Sequence, residues 1–168
     1  NDLLQHSDFR VRELGQKATL LGIASKQIVL PVHRLLLDVR YGLGAFFERE
    51  DAEGLGADVK AIVEQSNVAC DLLFTGMEQP NGMAIGNAVE VQEALAIIRN
   101  DEKGWDPRAL TEQRGLVIMF FAKLMVVEFS QHSEEQWARF AQQKFVTGLV
   151  AKAFGKILLA HRVPSDTV

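Results

Sequence analysis

Two stretches decide the fold: Leu35-Leu36-Leu37-Asp38-Val39-Arg40-Tyr41, closed by Gly42 and Gly44, and Asn67-Val68-Ala69-Cys70-Asp71-Leu72-Leu73-Phe74-Thr75, bounded by Gly76. Each is a short apolar run ended by glycine, which is how a strand reads. The first has so little polar alternation that it reads as covered on both faces. Between them Leu55, Val59, Ile62 and Val63 recur at spacings that share one helix face. Strand, helix, strand at this spacing predicts a parallel, right-handed βαβ unit.

Outward from that unit the pattern is helical. Leu14, Ala18, Leu21 and Ala24 recur at spacings of three and four, which predicts a helix over residues 14–28, stopped by Pro31. Downstream, Met77-Glu78-Gln79-Pro80-Asn81-Gly82 reads as a loop. A helix then starts near Ile85 or Gly86, with Ala88, Val91, Leu95 and Ile98 on one stripe. Asp106-Pro107 reads as an N-cap followed by proline at the first helical position. The helix that follows is apolar nearly all round over residues 116–127, which predicts burial. Ser133-Glu134-Glu135-Gln136 has capping-box spacing. Val146, Leu149, Val150, Ala153, Phe154, Ile157 and Leu158 read as the stripe of a last helix, ended by Pro164. The fold class is therefore α/β: mostly helical, with a small parallel βαβ core.

Composition narrows the function classes. The chain has 168 residues, 48% apolar and 24% charged, so it can bury a core and is not disordered by composition. Lys and Arg number 18 against 22 Asp and Glu, a net charge of −4, which argues against a nucleic-acid partner. The single cysteine, Cys70, excludes an intrachain disulfide and fits a reducing, cytoplasmic setting. The apolar run over residues 115–127 is interrupted by Lys123 and falls short of the ~20 residues of a membrane span, so no membrane partner is expected. No signal-peptide layout opens the chain. Asn1 in place of an initiator Met leaves processing, trimming and a fragment open.

Most residue-level signals have a plain reading. There is no Gly-x-x-x-x-Gly-Lys-Ser/Thr loop, no Gly-x-Gly-x-x-Gly opening a helix and no His-Glu-x-x-His. His6, His33, His132 and His161 are scattered without metal-ligand spacing. Gly42-Leu43-Gly44 reads as a turn that ends a strand or lets backbone approach a ligand. Cys70 reads as a packing residue. Lys26, beside Ser25 at a helix C-terminus, suits the helix dipole. Glu90 and Glu93 read as a solvated face. Arg40 differs, because ligands of parallel α/β units bind at the C-terminal ends of the strands, and that makes it a site-lining candidate.

Three segments taken in order carry more information than any one residue. They are Ala24-Ser25-Lys26-Gln27, then Leu37-Asp38-Val39-Arg40-Tyr41-Gly42-Leu43-Gly44-Ala45-Phe46, then residues 77–94 with Gln79-Pro80-Asn81-Gly82 and Gly86-Asn87-Ala88-Val89-Glu90-Val91. Together, with gaps that need no adjustment, they resemble the pyrimidine-nucleoside phosphorylases, the family that includes thymidine phosphorylase. Ala153-Phe154-Gly155 and Pro164-Ser165-Asp166 fit a late family segment. The resemblance implies a pentosyltransferase that cleaves a nucleoside with phosphate to free base and pentose 1-phosphate. It implies a small helical domain, here residues 1–30, and an α/β domain, here residues 31–168, with the site in the cleft between them. It also implies a homodimer, or association with the missing domains.

The resemblance assigns roles residue by residue. Lys26 matches the lysine on the pyrimidine, with Ser25 beside it, and Phe46 matches the aromatic residue at the base. Asn81, Ala84 and Glu93 match positions that hold a monovalent cation, K+, in some members, the first two through backbone carbonyls. Pyrimidine nucleoside and phosphate are the implied substrates, and no organic cofactor is implied. The departures matter equally. The serine one turn before the family lysine is Gly22 here, and the position of an upstream base-binding arginine falls on Ser7. Lys-x-Gly-Ser-Gly becomes Arg40-Tyr41-Gly42-Leu43-Gly44, and the phosphate-binding Lys-His-Ser-x-Gly-Gly is absent from these residues. The chain alone is therefore expected to be inactive. The alternative is a non-enzymatic interaction or scaffold protein derived from the same fold.

Overall fold

The computed structural model describes residues 15, 18, 22, 24–26, 29, 31–45 and 47–162. The chain divides into two compact units, Asn1–Gln79 and Pro80–Val168.

The first unit is the βαβ element. Strand β1 (Arg34–Tyr41) leads into helix α1 (Arg49–Glu64), which returns the chain to strand β2 (Ala69–Gly76). The strands are parallel, in a register that sets Arg34 opposite Ala69 and Tyr41 opposite Gly76. β2 starts two residues later than its apolar run suggests. Asn67 takes a left-handed φ of 60° and donates its N–H to the Glu64 carbonyl at 3.1 Å, so it closes α1 and cannot open the strand.

Alternation along the strands sends Leu35, Leu37 and Val39 of β1, with Cys70, Leu72 and Phe74 of β2, to the α1 face. Val59 and Val63 of α1 pack there with Val68 and Cys70, joined by Ala24, which lies in the helical stretch at residues 24–26. Gly56 lets α1 lie close, because a Cβ there would come 3.3 Å from both Phe74 and Val39. The second face of the sheet carries Arg34, Asp38, Arg40, Asp71 and Thr75 among Leu36 and Leu73, opposite the face on which α1 packs. The leucine run at residues 35–37 hides an alternation that becomes visible at Asp38. Burial pushes the Cys70 thiol above its ordinary pKa; nearby Glu64 and Asp71 act the same way and Lys60 opposes them. This is an inert packing cysteine.

The second unit is helical: α2 (Asn87–Arg99), α3 (Pro107–Glu128), α4 (Glu134–Val146) and α5 (Leu149–Ala160). Two starts are capped as the sequence indicates. Asp106 accepts the Arg108 N–H at 2.9 Å with Pro107 next to it, and Ser133 and Gln136 form a reciprocal capping box. Ala96, Ile97, Leu110 and Phe145 form the core, flanked by Trp105, Ile118 and Val150. Phe121 meets Trp137 edge-on at 6.3 Å and stacks on Phe140 at 6.2 Å, which ties α3 to α4.

Three expectations fail here. The buried face of α2 is Glu93, Ala96 and Ile97, whereas Val91 of the expected stripe is 51% exposed. The register of α2 is set by Glu93 and by α3, not by the widest apolar stripe. α3 is not buried all round: Leu110, Arg114 and Ala122 are buried, but Val117 and Val127 are each 51% exposed. Four helices give α3 one covered stripe. The apolar run after Val146 is broken, because Gly148 takes a left-handed φ of 71° and separates α4 from α5. Among the described residues no helix is long and apolar enough to cross a membrane.

Arg114 is 7% exposed and its guanidinium lies over the Phe145 ring at 6.0 Å, yet Nε and Nη2 have no hydrogen-bond partner among the described residues. Two buried donors left without acceptors are destabilising relative to an apolar side chain of similar length. Arg114→Met is therefore expected to raise stability by ~1 kcal/mol or more. A urea titration reads this at unchanged slope, and a midpoint that falls on substitution contradicts it.

Candidate functional site

At the C-terminal end of β1 the backbone turns on Gly42 and Gly44. Gly42 has φ 115°, and a Cβ on Gly44 would sit 2.8 Å from the Met77 carbonyl. The turn is stitched to the segment after β2: Met77 donates to the Tyr41 carbonyl at 2.7 Å and Gly44 donates to the Met77 carbonyl at 2.8 Å. The close approach that these glycines permit is therefore to the neighbouring loop. A pocket of about 330 Å³ opens beside them on the α1 side of β1, lined mainly by Leu37, Val39, Phe47, Leu55, Val59 and Met77.

On the opposite face of the sheet the Arg40 side chain is held in place. Its Nε–H donates to Asp38 Oδ2 at 2.9 Å, and Thr75 Oγ1 donates to Asp38 Oδ1 at 2.7 Å. Arg40 and Thr75 are register partners, and Asp38 lies two residues before Arg40, so all three share the second face of the sheet. Sequence reading singled out Arg40 but not Asp38 or Thr75. The available signal was the parity of Asp38 and Arg40 on one strand, which says that the two share a face.

Ser25 and Lys26 are helical and exposed. Ser25 Oγ donates to the Gly22 carbonyl at 3.2 Å. Among the described residues, a Cβ on Gly22 would meet nothing within 4 Å. Phe46 lies outside the described residues, as does Ser7.

The loop that leads into α2 is built around a carboxylate. Glu93 is 4% exposed and reaches back from α2 to accept the backbone N–H of Met83 at 2.7 Å and of Ala84 at 3.3 Å. Glu90 does the same one turn earlier, accepting the Gly86 N–H at 2.9 Å at the start of α2. The reading of these two glutamates as a solvated face is thus corrected for Glu93, which is buried; Glu90 stays exposed but is engaged. Gly82, at φ 78°, sits against Glu93 and the Gln113 amide with no room for a Cβ. Gly82, the Met83 and Ala84 amides and Glu93 are therefore one structural device. Asn81, exposed, and Ala84, half-buried, flank it. Asn81, Ala84 and Glu93 belong to the second unit, and Ser25, Lys26 and Arg40 to the first.

Comparison with known proteins gives this arrangement a context. No family model matches the chain. Over 147 residues, 87% of its length, it is 31% identical to a pyrimidine-nucleoside phosphorylase of Staphylococcus aureus strain USA300, and equally to one of Staphylococcus epidermidis. The chain is a diverged counterpart of one segment of the pyrimidine-nucleoside phosphorylases. It spans about a third of the length of these curated relatives, 32% in each case. The three segments quoted from the sequence thus lie in a chain whose likeness to these phosphorylases extends well beyond them.

Proposed function

We infer that the chain supplies the pyrimidine-facing part of a phosphorylase-type pentosyltransferase acting in pyrimidine metabolism. The observation that carries this reading is the 31% identity to pyrimidine-nucleoside phosphorylases across 87% of the chain. The Glu93 clamp supports it, since it gives Gly82 and Glu93 of the resembling segment a physical reason.

The reaction passes through a sugar that gains positive charge and a base that leaves with negative charge. Lys26 is the residue assigned to that negative charge, through a pyrimidine carbonyl; an ammonium fixed there stabilises the transition state more than the ground state. Phe46 is assigned to the flank of the base, Ser25 to a supporting place beside Lys26, and Arg40 to the lining of the site at the strand ends. Asn81, Ala84 and Glu93 are assigned to a monovalent cation. A buried carboxylate beside a loop with carbonyl oxygens is a hard-oxygen donor set, which fits such an ion. When bound, the ion would add positive charge beside the loop, and Glu93 holds the loop amides in either case. A cytoplasmic setting follows from this metabolic role. Exposed apolar side chains on the second unit, including Val117, Leu149 and Ile157 at 48–53% exposure, support self-association as a homodimer. Light scattering that reports a clean monomer at high concentration would contradict that.

A second reading is a non-enzymatic interaction or scaffold protein derived from the same fold; these 168 residues do not include Lys-His-Ser-x-Gly-Gly, a segment that lies further upstream in the related phosphorylases. For the chain alone both readings give the same first result. Incubated with uridine or thymidine and phosphate, it is expected to release no free base above the protein-free blank. Release that scales with protein concentration would show that the site is complete without that segment. The two readings part over pyrimidine recognition, which the enzyme reading requires.

A further inference from the structure

We propose that the groove between α3, α4 and α5 is the docking site of an acidic amphipathic helix from a partner protein. The inference stands apart from the pyrimidine reading, since it uses none of the residues assigned to nucleoside or cation.

The sequence of α5 provides the starting point. Leu149, Ala153 and Ile157 recur every four residues and so share one face, an apolar strip that runs about 12 Å along the helix. α5 buries none of its residues fully, and Leu149 and Ile157 are 48% and 53% exposed. The strip leads into a groove of about 380 Å³, where Val117 and Phe121 of α3 and Phe140 and Lys144 of α4 join Leu149 and Ala153 as lining. The Phe121 and Phe140 rings stack on each other at 6.2 Å, which stiffens the wall. An elongated apolar recess of this kind is the counterpart of a helix that presents apolar side chains at i, i+3, i+4 and i+7. A bilayer is a poorer match, because it takes up the outward face of one helix, not a recess between three.

Charge names the chemistry of the occupant. Among the described residues no Asp or Glu lines the groove. None occurs between Thr147 and Arg162 either, a stretch that holds Lys152, Lys156 and Arg162. The Lys144 ammonium sits over the Phe140 ring at 4.4 Å and has no carboxylate partner among the described residues. Arg114 sets another cation against Phe145, a further lining residue, and its Nε and Nη2 have no acceptor. The N-terminus of α5 adds to this field. Its N-cap is Gly148, with no side-chain cap, and the neighbouring Thr147 hydroxyl donates backward to the Gln143 carbonyl at 2.9 Å. The first N–H groups of α5 therefore keep the positive end of the helix dipole at Leu149 and Val150, both of which line the groove. The whole chain carries −4, so this excess of cations is local and does not follow from composition. A positive rim around an apolar recess selects carboxylates flanking an apolar stripe.

The whole chain is titrated into three fluorescein-labelled synthetic helices that share one leucine stripe and carry Glu, Gln or Lys on the other face. Anisotropy reads binding. Light scattering on the same samples reads oligomeric state, which keeps this test separate from that of the homodimer. Saturable binding of the Glu helix is expected, with the Gln helix weaker and the Lys helix weakest, and the differences should shrink as sodium chloride is raised. Leu149→Glu, at an exposed position, should weaken the Glu helix by about tenfold or more. Lys144→Glu should weaken the Glu helix and strengthen the Lys helix, a reversal that loss of folding cannot produce. In a parallel arm, vesicles of phosphatidylcholine with phosphatidylglycerol are sedimented with the chain, which is expected to stay in solution. Absent binding of the Glu helix, equal binding of the Glu and Lys helices, or affinity unmoved by Leu149→Glu or Lys144→Glu overturns the proposal. So does pelleting with the vesicles, or a dimer at every concentration that excludes the Glu helix.

Discussion

Gly82→Val is expected to destabilise the second unit by about 3 kcal/mol or more. Two penalties combine. Gly82 has φ 78°, a left-handed conformation that costs an L-residue ~1–2 kcal/mol, and more for a β-branched one. The new side chain would also occupy the space now held by the Glu93 carboxylate and the Gln113 amide. If Glu93 moves, the amides of Met83 and Ala84 lose their acceptor and a carboxylate that is 4% exposed loses its donors, at ~1–3 kcal/mol for each group left unpaired. Denaturant unfolding of the variant reads the total. Glu93→Ala should give a loss of its own, and the double variant should lose less than the sum of the two, because both changes break one device. A loss below about 1 kcal/mol in Gly82→Val, or strict additivity with Glu93→Ala, contradicts the clamp.

Lys26→Met should lower phosphorolysis by roughly 10²–10³-fold in a polypeptide that continues these 168 residues with the parts found only in the longer relatives, the usual effect of removing one donor to developing negative charge. The plain alternative has a very different size. A lysine that only decorates a helix terminus contributes ~0.3–1 kcal/mol to stability and nothing specific to rate. Lys26 is exposed, so the variant should fold. Steady-state rates with uridine and thymidine, after a check of the melting temperature, separate the two. Unchanged kcat/KM towards the best substrate leaves Lys26 as a surface residue. Gly22 adds a refinement, because nothing among the described residues crowds the position and Gly22→Ser supplies the hydroxyl that the resemblance places one turn before the lysine.

The βαβ unit was legible because its signals are local and agree: apolar runs closed by Gly42 and Gly76, and a helix face of Leu55, Val59, Ile62 and Val63 between them. The caps at Asp106 and Ser133 were legible for the same reason, since a cap is decided within four residues. What escaped was decided across elements. The buried face of α2 follows from where Glu93 must reach, and no count of apolar residues along α2 contains that. The break at Gly148 lay inside a continuous apolar run, where a glycine tolerated within a helix and a glycine that ends one look alike. At the site, Lys26 and Arg40 stood out by residue type and place. Asp38 and Thr75 did not, because their role depends on a strand register that brings positions 37 residues apart in sequence side by side. Glu93 was named through likeness to the phosphorylases, while its burial and its two backbone donors came from the structure alone.

A chain that carries the pyrimidine-recognising part of a phosphorylase-type site, as proposed above, binds pyrimidine nucleosides and does so through Lys26. Saturation-transfer NMR on the whole chain tests it most directly, with uridine, thymidine and a purine nucleoside such as inosine as probes, each on the wild type and on Lys26→Met. The account predicts saturable transfer to the pyrimidine ring protons of uridine or thymidine, little to inosine, and loss of the pyrimidine signal in a folded Lys26→Met variant. Equal transfer to inosine, no transfer to either pyrimidine, or a signal that survives Lys26→Met undiminished would contradict it.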